Sequence, residues 1–345
     1  MASSELAGGA EEYIYRLYRE LADTGAVDVT LIGSLPHWDA SVGECVPSGV
    51  TRKLTRRHPM FGQAIRTIRS VPEMVRALDV AKPDIVHVQY MKEKLTLPRL
   101  IRERTPILWT EHGPLPTNFP PGARRYLSWQ SRSARVIAVS EGVKESLSRS
   151  GIISEVIPNP FPDCGLEPEQ VKAGPRCEPV RRVVGYAGRV HESKRVDLLV
   201  DVAAQLPEVD FVIAGDGPAK GMLETRASSN VKFLGHVDDM AMVYPSLDLL
   251  VIPGGQAARE GSPMVMLEAR CFGLNVIVAN DCHALPEAMD LGCSGFEPTV
   301  RGLGLAIGEA INLPRRSLPT AIREARSVRN WARGHLDVMK ALIAV

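Results

Sequence analysis

Two glutamates eight residues apart, Glu260 and Glu268, are the strongest candidates in the sequence for binding a ligand rich in hydroxyl groups. The apolar residues between them predict a helix that begins near Met264, with Glu260 in the preceding loop and Glu268 about one turn inside. A helix N-terminus offers unpaired N–H groups that favour a phosphate, and carboxylates accept hydrogen bonds from sugar hydroxyls. Spacing alone leaves open a second interpretation, in which one surface loop and one helix each carry an unrelated acid.

Two cations form a second candidate site, in the stretch that runs from Tyr186 to Lys194. This stretch follows an apolar run and precedes a helical pattern, and Gly188 would allow a tight turn there. Because ligands of open α/β sheets bind beyond the carboxyl ends of strands, Arg189 and Lys194 would border such a crevice. They would suit a diphosphate leaving group, although two solvated surface cations would look the same.

The elements around these residues alternate between short apolar runs and helical patterns, which predicts a parallel sheet covered by helices. A weaker glycine turn, Ala214-Gly-Asp-Gly-Pro218, follows one of the runs and has a structural role in many proteins. The predicted strands of the second half are Arg182–Tyr186, Asp210–Ile213, Val231–Phe233, Leu247–Ile252 and Asn275–Val278, and its predicted helices are Val196–Gln205, Lys220–Ala227 and Met264–Phe272.

The first half has the same rhythm, so the sequence predicts an α/β protein with two Rossmann-like domains facing a central cleft. We expect an N-terminal domain over 1–160, a proline- and glycine-rich linker over 161–180 and a second domain over 181–324. A final helix, about 325–345, is expected to return to the first domain. The predicted strands of the first half are Val27–Gly33, Asp84–Gln89, Pro106–Glu111 and Arg135–Val139, and its predicted helices are Ala10–Leu21 and one capped by Ser140.

The composition of the chain argues against several classes of protein. The chain has 345 residues and a net charge of +1, which gives no global attraction to nucleic acid. Its six cysteines lack zinc-site spacing and are expected to be reduced thiols. We find no signal peptide and no apolar run of transmembrane length, so we expect a cytoplasmic protein. The basic stretch 51–69 could contact anionic lipid or could be a solvated face.

Taken in order, these motifs resemble those of the retaining glycosyltransferases of the GT-B fold, family 4, along nearly the whole chain. The first half contributes a glycine-rich loop and a histidine-bearing loop, and the second half contributes the cation pair and the two spaced glutamates. The matching stretches are Gly8-Gly9-Ala10-Glu11, Thr110-Glu-His112-Gly, Ala138-Val-Ser140, Ile157-Pro-Asn159-Pro, Gly188-Arg189 with Lys194, Glu260 to Glu268, and Pro286-Glu287.

The resemblance implies a donor, a nucleotide diphosphate sugar, and a role for each matching residue. Arg189 and Lys194 would hold the diphosphate, Glu260 would contact the donor sugar, and Glu268 would contact the ribose. His112 would lie near the reacting sugar. Further donor contacts are implied for Gly8, Gly9, Gly188, Gly235, Gly261, Met264 and Val265.

The reaction implied is metal-independent transfer with retention at the anomeric carbon, by front-face attack through an oxocarbenium-like transition state. Two fixed cations would replace a divalent metal, and no cofactor is expected. We also expect the two domains to close about the linker and exclude water. The acceptor, whether a small molecule, a glycan or a lipid, cannot be identified because fold does not fix substrate.

Two features depart from the family pattern. Ser262-Pro263 follows the Glu260-Gly261 pair, and proline lacks an N–H that could bind the donor. Met1 to Ala7 show no β pattern where a central strand is expected, which favours a start upstream of Met1. Two other functions therefore remain open, namely a degenerate protein that binds a nucleotide sugar without turnover and a nucleotide-sugar 2-epimerase.

Overall fold

A computed structural model of the chain describes residues 2–3, 8–35, 37–46, 60–116, 119–163 and 181–344. These residues form two compact units. Unit 1 comprises Met1–Asn159 and Val328–Val345, and unit 2 comprises Pro160–Ser327. Within the described ranges, no helix combines the length and the apolar character that crossing a bilayer requires.

Unit 1 is built from short parallel strands and the helices that connect them. Its strands are β1 (Ala2–Ser3), β2 (Thr30–Ser34), β3 (Glu44–Val46), β4 (Val86–Val88), β5 (Ile107–Glu111), β6 (Arg135–Ala138) and β7 (Glu155–Val156). Its first five helices are α1 (Gly9–Asp23), α2 (Met60–Ala81), α3 (Met91–Ile101), α4 (Pro121–Ser131) and α5 (Glu141–Ser148).

The strands of unit 1 pair in two parallel groups, β1-β2-β3 and β4-β5-β6-β7. Apolar runs form strands buried on both faces, as in β5, where all five residues are buried. The expectation that no strand precedes the glycine loop is wrong, because Ala2 pairs with Gly33 and Ser3 with Ser34. The side chains of this stretch gave no β pattern, and β1 is held by its backbone pairing with β2.

Unit 2 is a single six-stranded parallel sheet. Its strands are β8 (Arg182–Ala187), β9 (Val209–Ala214), β10 (Val231–Gly235), β11 (Leu249–Ile252), β12 (Asn275–Ala279) and β13 (Ser294–Phe296). Its helices are α6 (Val196–Ala203), α7 (Lys220–Arg226), α8 (Met264–Cys271), α9 (Leu285–Asp290), α10 (Val300–Ala310) and α11 (Thr320–Ala325).

The strand order of unit 2 is β10-β9-β8-β11-β12-β13. Counted within the unit, this is 3-2-1-4-5-6, the order of a doubly wound Rossmann sheet. The predicted α/β architecture with parallel sheets is thereby confirmed. The order reverses between β8 and β11, so the loops that follow these two strands meet at the switch point where such sheets bind ligands.

The last helix, α12 (Val328–Ile343), packs against α1 in unit 1. Tyr13 of α1 contacts Trp331 of α12 edge to face, with ring centroids 4.8 Å apart. The Tyr13 hydroxyl lies 2.5 Å from His335 Nε2, and His335 Nδ1 lies 2.9 Å from the carbonyl of Trp331. A neutral imidazole satisfies both contacts, because Nδ1–H donates to the carbonyl while Nε2 accepts from the hydroxyl.

This buried histidine makes the stability of unit 1 sensitive to acid. Burial lowers the pKa of His335 from 6.5 to about 4. The unfolded chain therefore binds the proton more readily, and stability present above pH 6.5 is lost as the pH falls toward 4. The expected loss from this residue is about 3 kcal/mol across that window, measured by urea unfolding at several pH values.

The His335→Gln variant tests this assignment. It should be less stable at pH 7 but lose less stability than the wild type between pH 6.5 and pH 4. His236 is 74% exposed, so His236→Gln serves as the matched control with an unchanged slope. A His335→Gln protein with the wild-type pH slope would contradict the prediction.

Candidate donor-binding site

Lys194 and Glu260 meet at the switch point of unit 2. Lys194 ends the 3-10 helix Glu192–Lys194 in the loop after β8, and Glu260 lies in the loop after β11. The Lys194 ammonium donates to Glu260 Oε1 in an ion pair whose side chains are 23% and 24% exposed. The two residues are distant in sequence, so the neighbouring positions of β8 and β11 bring them together. The result is a half-buried pair of opposite charges that solvent and a ligand can reach.

A second ion pair fixes the same loops. Arg195 binds Asp281 through two hydrogen bonds, Nη1 to Oδ1 at 2.9 Å and Nη2 to Oδ2 at 2.7 Å. Asp281 follows β12, and a Cβ added at Gly255 would lie 2.3 Å from its Oδ2. Because a bidentate arginine–carboxylate pair fixes orientation, it holds the Lys194 loop against the backbone after β11.

Strained backbone conformations lie next to both Lys194 and Glu260. Arg195 and Arg259 have φ values of 53° and 55°, in the left-handed region that side chains disfavour. Each directly follows a 3-10 turn and adjoins Lys194 or Glu260. Such strain costs on the order of 1–3 kcal/mol per residue and is concentrated at functional sites.

The amino end of α8 lies directly after Glu260. Gly261 and Ser262 are buried, and Pro263 is the N-cap without a side-chain hydrogen bond to the helix. Met264 and Val265 occupy the first two helical positions, where backbone N–H groups have no partner inside a helix. Farther in, the carboxylate of Glu268 accepts a hydrogen bond from the Tyr244 hydroxyl at 2.8 Å.

Arg189 follows β8 on the same loop as Lys194 and is exposed. Its carbonyl accepts a hydrogen bond of 2.9 Å from the Tyr186 hydroxyl. Burial first, and the Glu260 carboxylate second, raise the pKa of Tyr186, so its hydroxyl stays protonated and donates. In the part of the chain that the structure describes, the Arg189 guanidinium forms no ion pair, so its charge is available to a ligand.

Three glycines bring the neighbouring loops close to the Arg189 turn. Gly188, Gly215 and Gly235 all have φ in the left-handed half, at 138°, 139° and 71°. Gly215 N–H donates to the carbonyl of Gly235 at 2.7 Å, and Gly188 N–H donates to the carbonyl of Ala214 at 2.9 Å. A Cβ added at Gly215 would lie 1.8 Å from the carbonyl oxygen of Gly188. The turn after β9 therefore supports the turn that carries Arg189.

We expect Gly215→Ala to destabilise unit 2 by about 3 kcal/mol or more, because it combines a disfavoured φ with a backbone clash. Urea unfolding measures the loss, and binding of a nucleoside diphosphate should weaken as the Gly188 turn moves. Gly221→Ala is the control, since its added Cβ meets nothing within 4 Å and lies in helix α7. If Gly215→Ala were as stable as Gly221→Ala, the turn after β9 would accommodate a side chain at Gly215, and the prediction would be wrong.

The other predicted site residues belong to unit 1. Gly8 is the N-cap of α1, and both it and Gly9 are exposed. His112 directly follows β5, and its Nε2 lies 2.6 Å from Oε1 of Gln89. The edge of its ring also contacts Tyr13, with centroids 4.6 Å apart. These contacts fix the ring of His112 at the carboxyl end of β5.

Sequence reasoning placed Lys194, Glu260, Arg189 and Glu268 in unit 2 and missed residues that support the predicted sites. Tyr244 binds Glu268 and Asp281 binds Arg195 in unit 2, and Gln89 contacts His112 in unit 1. These three carry no motif, so no signal in the sequence could have identified them. Among the residues with described positions, no three of His, Cys, Asp and Glu converge as a metal site. Residues 51–59 of the basic stretch lie outside the described residues, and α2 begins at Met60.

Two family models match the chain in succession. The model described as Glycosyltransferase Family 4 matches residues 7–163, and the model described as Glycosyl transferases group 1 matches residues 181–311. Together they cover most of the chain, and the first match ends at residue 163, close to the boundary between the two units.

Curated relatives match over shorter stretches. The D-inositol 3-phosphate glycosyltransferase of Mycolicibacterium gilvum is 32% identical over 130 residues, which is 34% of this chain and 28% of that protein. The sulfoquinovosyl transferase SQD2 of Arabidopsis thaliana is 34% identical over 105 residues, or 30% of this chain and 20% of that protein. The alignments with the curated relatives span about a third of those proteins or less.

Solved structures match along the whole chain. The Anabaena protein Alr3699/HepE in complex with UDP and glucose has a TM-score of 0.75 at 20% identity, with 99% of this chain and 98% of that chain covered. A glycosyltransferase from Rickettsia africae has a TM-score of 0.73 at 16% identity and covers 99% and 97%. At these identities the likeness shows the fold, which is the GT-B arrangement of two Rossmann-like domains.

Proposed function

Because the chain belongs to the group 1 glycosyltransferases of the GT-B fold, we propose that it transfers a sugar from a nucleotide diphosphate sugar to a hydroxyl-bearing acceptor. The observation that carries the proposal is the Lys194–Glu260 ion pair at the switch point of unit 2, beside the amino end of α8. The proposal includes retention at the anomeric carbon and no requirement for a divalent metal.

The charges of unit 2 suit the departure of a diphosphate. As the bond to the sugar breaks, negative charge grows on the leaving phosphate, and preorganised donors at that position lower the barrier. Lys194 and Arg189 supply two cations on one loop, and the first N–H groups of α8, on Met264 and Val265, supply a third positive element. In the proposed mechanism these groups take the place of a metal ion.

Glu260 and Glu268 would orient the two sugars of the donor. Glu260 already accepts from a cation, and it would keep one carboxylate oxygen for hydroxyls of the transferred sugar. Glu268, held by Tyr244, would accept from the ribose hydroxyls. Gly188, Gly235 and Gly261 would allow the backbone to approach the donor closely, because they carry no side chain.

Unit 1 would supply the acceptor side of the reaction. His112, held by Gln89 and Tyr13, is proposed to contact the reacting sugar, and Gly8 and Gly9 open α1 without side chains. In front-face attack the departing phosphate accepts the acceptor's proton, so the protein need not supply a covalent nucleophile. The cytoplasmic location and lipid contact through residues 51–69 remain predictions, and the fold does not identify the acceptor.

The proposed function is tested by offering a panel of nucleotide diphosphate sugars to the full chain in buffer with EDTA. Binding is measured first by thermal shift, since a ligand specific for the folded state raises Tm. Turnover is then followed by release of nucleoside diphosphate, and NMR of the product gives the anomeric configuration. Slow donor hydrolysis with retention supports the proposal.

Four results would contradict parts of the proposal. An inverted product or loss of turnover in EDTA would overturn the mechanism. Conversion of the donor to its 2-epimer would identify an epimerase. Tight donor binding with no hydrolysis and no transfer to any acceptor would identify a degenerate binding protein.

A further inference from the structure

Arg315, in the segment between α10 and α11, binds four backbone carbonyl groups of unit 2. Its Nη1 donates to the carbonyl of Phe272 at 3.1 Å. Its Nη2 lies 3.1, 2.9 and 2.7 Å from the carbonyl oxygens of Tyr244, Pro245 and Leu247. Phe272 is the C-cap of α8, and the other three residues belong to the turn before β11. The guanidinium therefore joins the end of α8 to the turn that contains Tyr244.

The backbone around Arg315 is attached to the same part of unit 2. Arg316 N–H donates to the carbonyl of Gly273 at 3.0 Å. The side-chain amide of Asn275, the first residue of β12, donates to the carbonyl of Leu313 at 2.9 Å. These two contacts hold the segment against the turn between α8 and β12 without the guanidinium. Replacing the Arg315 side chain should therefore leave the segment in place.

Tyr244 connects this turn to the carboxylate of Glu268. The tyrosine is 1% exposed, and its ring packs against Phe272 with the centroids 5.4 Å apart. Its hydroxyl donates to Oε2 of Glu268 at 2.8 Å. Because a carboxylate can accept several hydrogen bonds, the one from Tyr244 fixes its direction without using its full capacity. The position of the Tyr244 turn, which Arg315 holds, thus determines how Glu268 is oriented.

We propose that Arg315 and Tyr244 are positioning residues for recognition of the ribose, which hold the Glu268 carboxylate in the orientation that binds its hydroxyl groups. This role rests on the proposed function, in which Glu268 accepts from the ribose of the donor. A side chain that is already ordered in the free protein loses less conformational entropy when a ligand binds. The network therefore selects nucleotides that carry the ribose hydroxyls. Arg315 lies beyond residues 181–311, so the family match does not include it.

Calorimetric titration of the full chain with UDP, GDP and ADP, and with the 2′,3′-dideoxy form of each, tests this role. The ratio of the two dissociation constants reports the hydroxyl groups alone, because the base and the diphosphate are the same in both ligands. For the base that binds best, we expect the dideoxy form to bind the wild type about 10²-fold more weakly, since it cannot donate to the Glu268 carboxylate.

Two substitutions should lower this ratio and leave binding of the dideoxy form unchanged. Tyr244→Phe keeps the buried ring and removes only the hydroxyl, and we expect the ratio to fall to about 10 or less. Arg315→Gln releases the Tyr244 turn, and we expect the ratio to fall about threefold or more. If Arg315→Gln does not fold, the ratio is measured in Arg315→Lys, which keeps the charge but cannot span both groups of carbonyls.

Arg316→Gln is the matched control for Arg315→Gln. It removes the same charge from the next residue, whose side chain is exposed, and it keeps the backbone hydrogen bond to Gly273. This variant should have the wild-type ratio.

Two outcomes would overturn the positioning role and leave the proposed function intact. A wild-type ratio near 1, or a wild-type ratio retained in Tyr244→Phe and in the Arg315 variant, would show that the network does not act on the ribose. Equal weakening of both forms of the nucleotide in the variants would show that the two residues only maintain the fold of unit 2. Failure of the wild type to bind any of the three nucleoside diphosphates would instead contradict the proposed function, and the positioning role with it.

Discussion

Replacing Glu260 with glutamine is expected to lower turnover by about 10²–10³-fold while unit 2 keeps its fold. Glutamine has the same shape and can still meet the Lys194 ammonium through its amide oxygen, but it carries no charge. In the variant, no carboxylate orients the donor sugar, and the charge of the Lys194 ammonium is no longer neutralised by residue 260. Because glutamine still accepts a hydrogen bond from the ammonium and solvent reaches both side chains, the substitution should cost unit 2 about 1–2 kcal/mol of stability.

Steady-state kinetics and urea unfolding on the same preparation measure both parts of this prediction. Glu141→Gln is the matched control, because Glu141 pairs with Lys144 on the exposed surface of α5 in unit 1. It removes the same charge from a lysine–glutamate pair and should retain wild-type turnover. Wild-type turnover in Glu260→Gln would remove Glu260 from the proposed site.

The sequence predicted the local part of this site well. Apolar spacing placed the start of α8 near Met264, and the helix begins at that residue. Glu268 accordingly lies about one turn inside, as the spacing requires. Such features depend on neighbours within a few residues, and those neighbours determine hydrophobic periodicity and helix starts.

The pairing of Lys194 with Glu260 needed information that no local pattern contains. Each residue follows a different strand, and only the order β8-β11 makes the two loops adjacent. Sequence alone predicted that Lys194 would lie beyond the carboxyl end of a strand and that Glu260 would lie in the loop before a helix, and the family resemblance assigned both to one ligand. The direct contact between their side chains could be seen only once the sheet order was known.

The backbone conformations beside Lys194 and Glu260 could not be predicted for a different reason. Arg195 and Arg259 adopt left-handed backbone conformations that arginine disfavours, so propensity predicts against them. Two hydrogen bonds to Asp281, which is distant in sequence, hold the Arg195 side chain. Tertiary contacts override local preference here, which is common where loops are held for function.

The short first strand, β1, is a strand that the side-chain pattern did not predict. Ala2 and Ser3 have no apolar alternation, and the sequence predicted no strand there. Backbone pairing with Gly33 and Ser34 forms one regardless, because hydrogen bonding in a ladder does not require particular side chains.

Lys194→Met should lower kcat/KM for the donor by about 10²–10³-fold and leave the KM for the acceptor unchanged. Methionine matches the unbranched apolar stem of lysine as far as Cε and lacks only the ammonium, so the loss reports that group. A cation that stabilises the leaving diphosphate acts mainly in the transition state, so kcat should fall more than donor affinity. Lys144→Met, from the surface pair on α5, is the matched control and should retain full activity.

The double variant distinguishes two roles that each single variant leaves mixed. If Lys194 only positions Glu260, Lys194→Met combined with Glu260→Gln should be no slower than Glu260→Gln alone, because the positioned charge is already gone. If Lys194 also contacts the diphosphate, the double variant should be slower still, and weaker inhibition by nucleoside diphosphate should accompany the added loss. We expect the second result, since the ammonium is 23% exposed and the exposed Arg189 shares its loop. Equal rates with unchanged inhibition would reduce Lys194 to a positioning residue and leave Arg189 and the amino end of α8 to hold the phosphates.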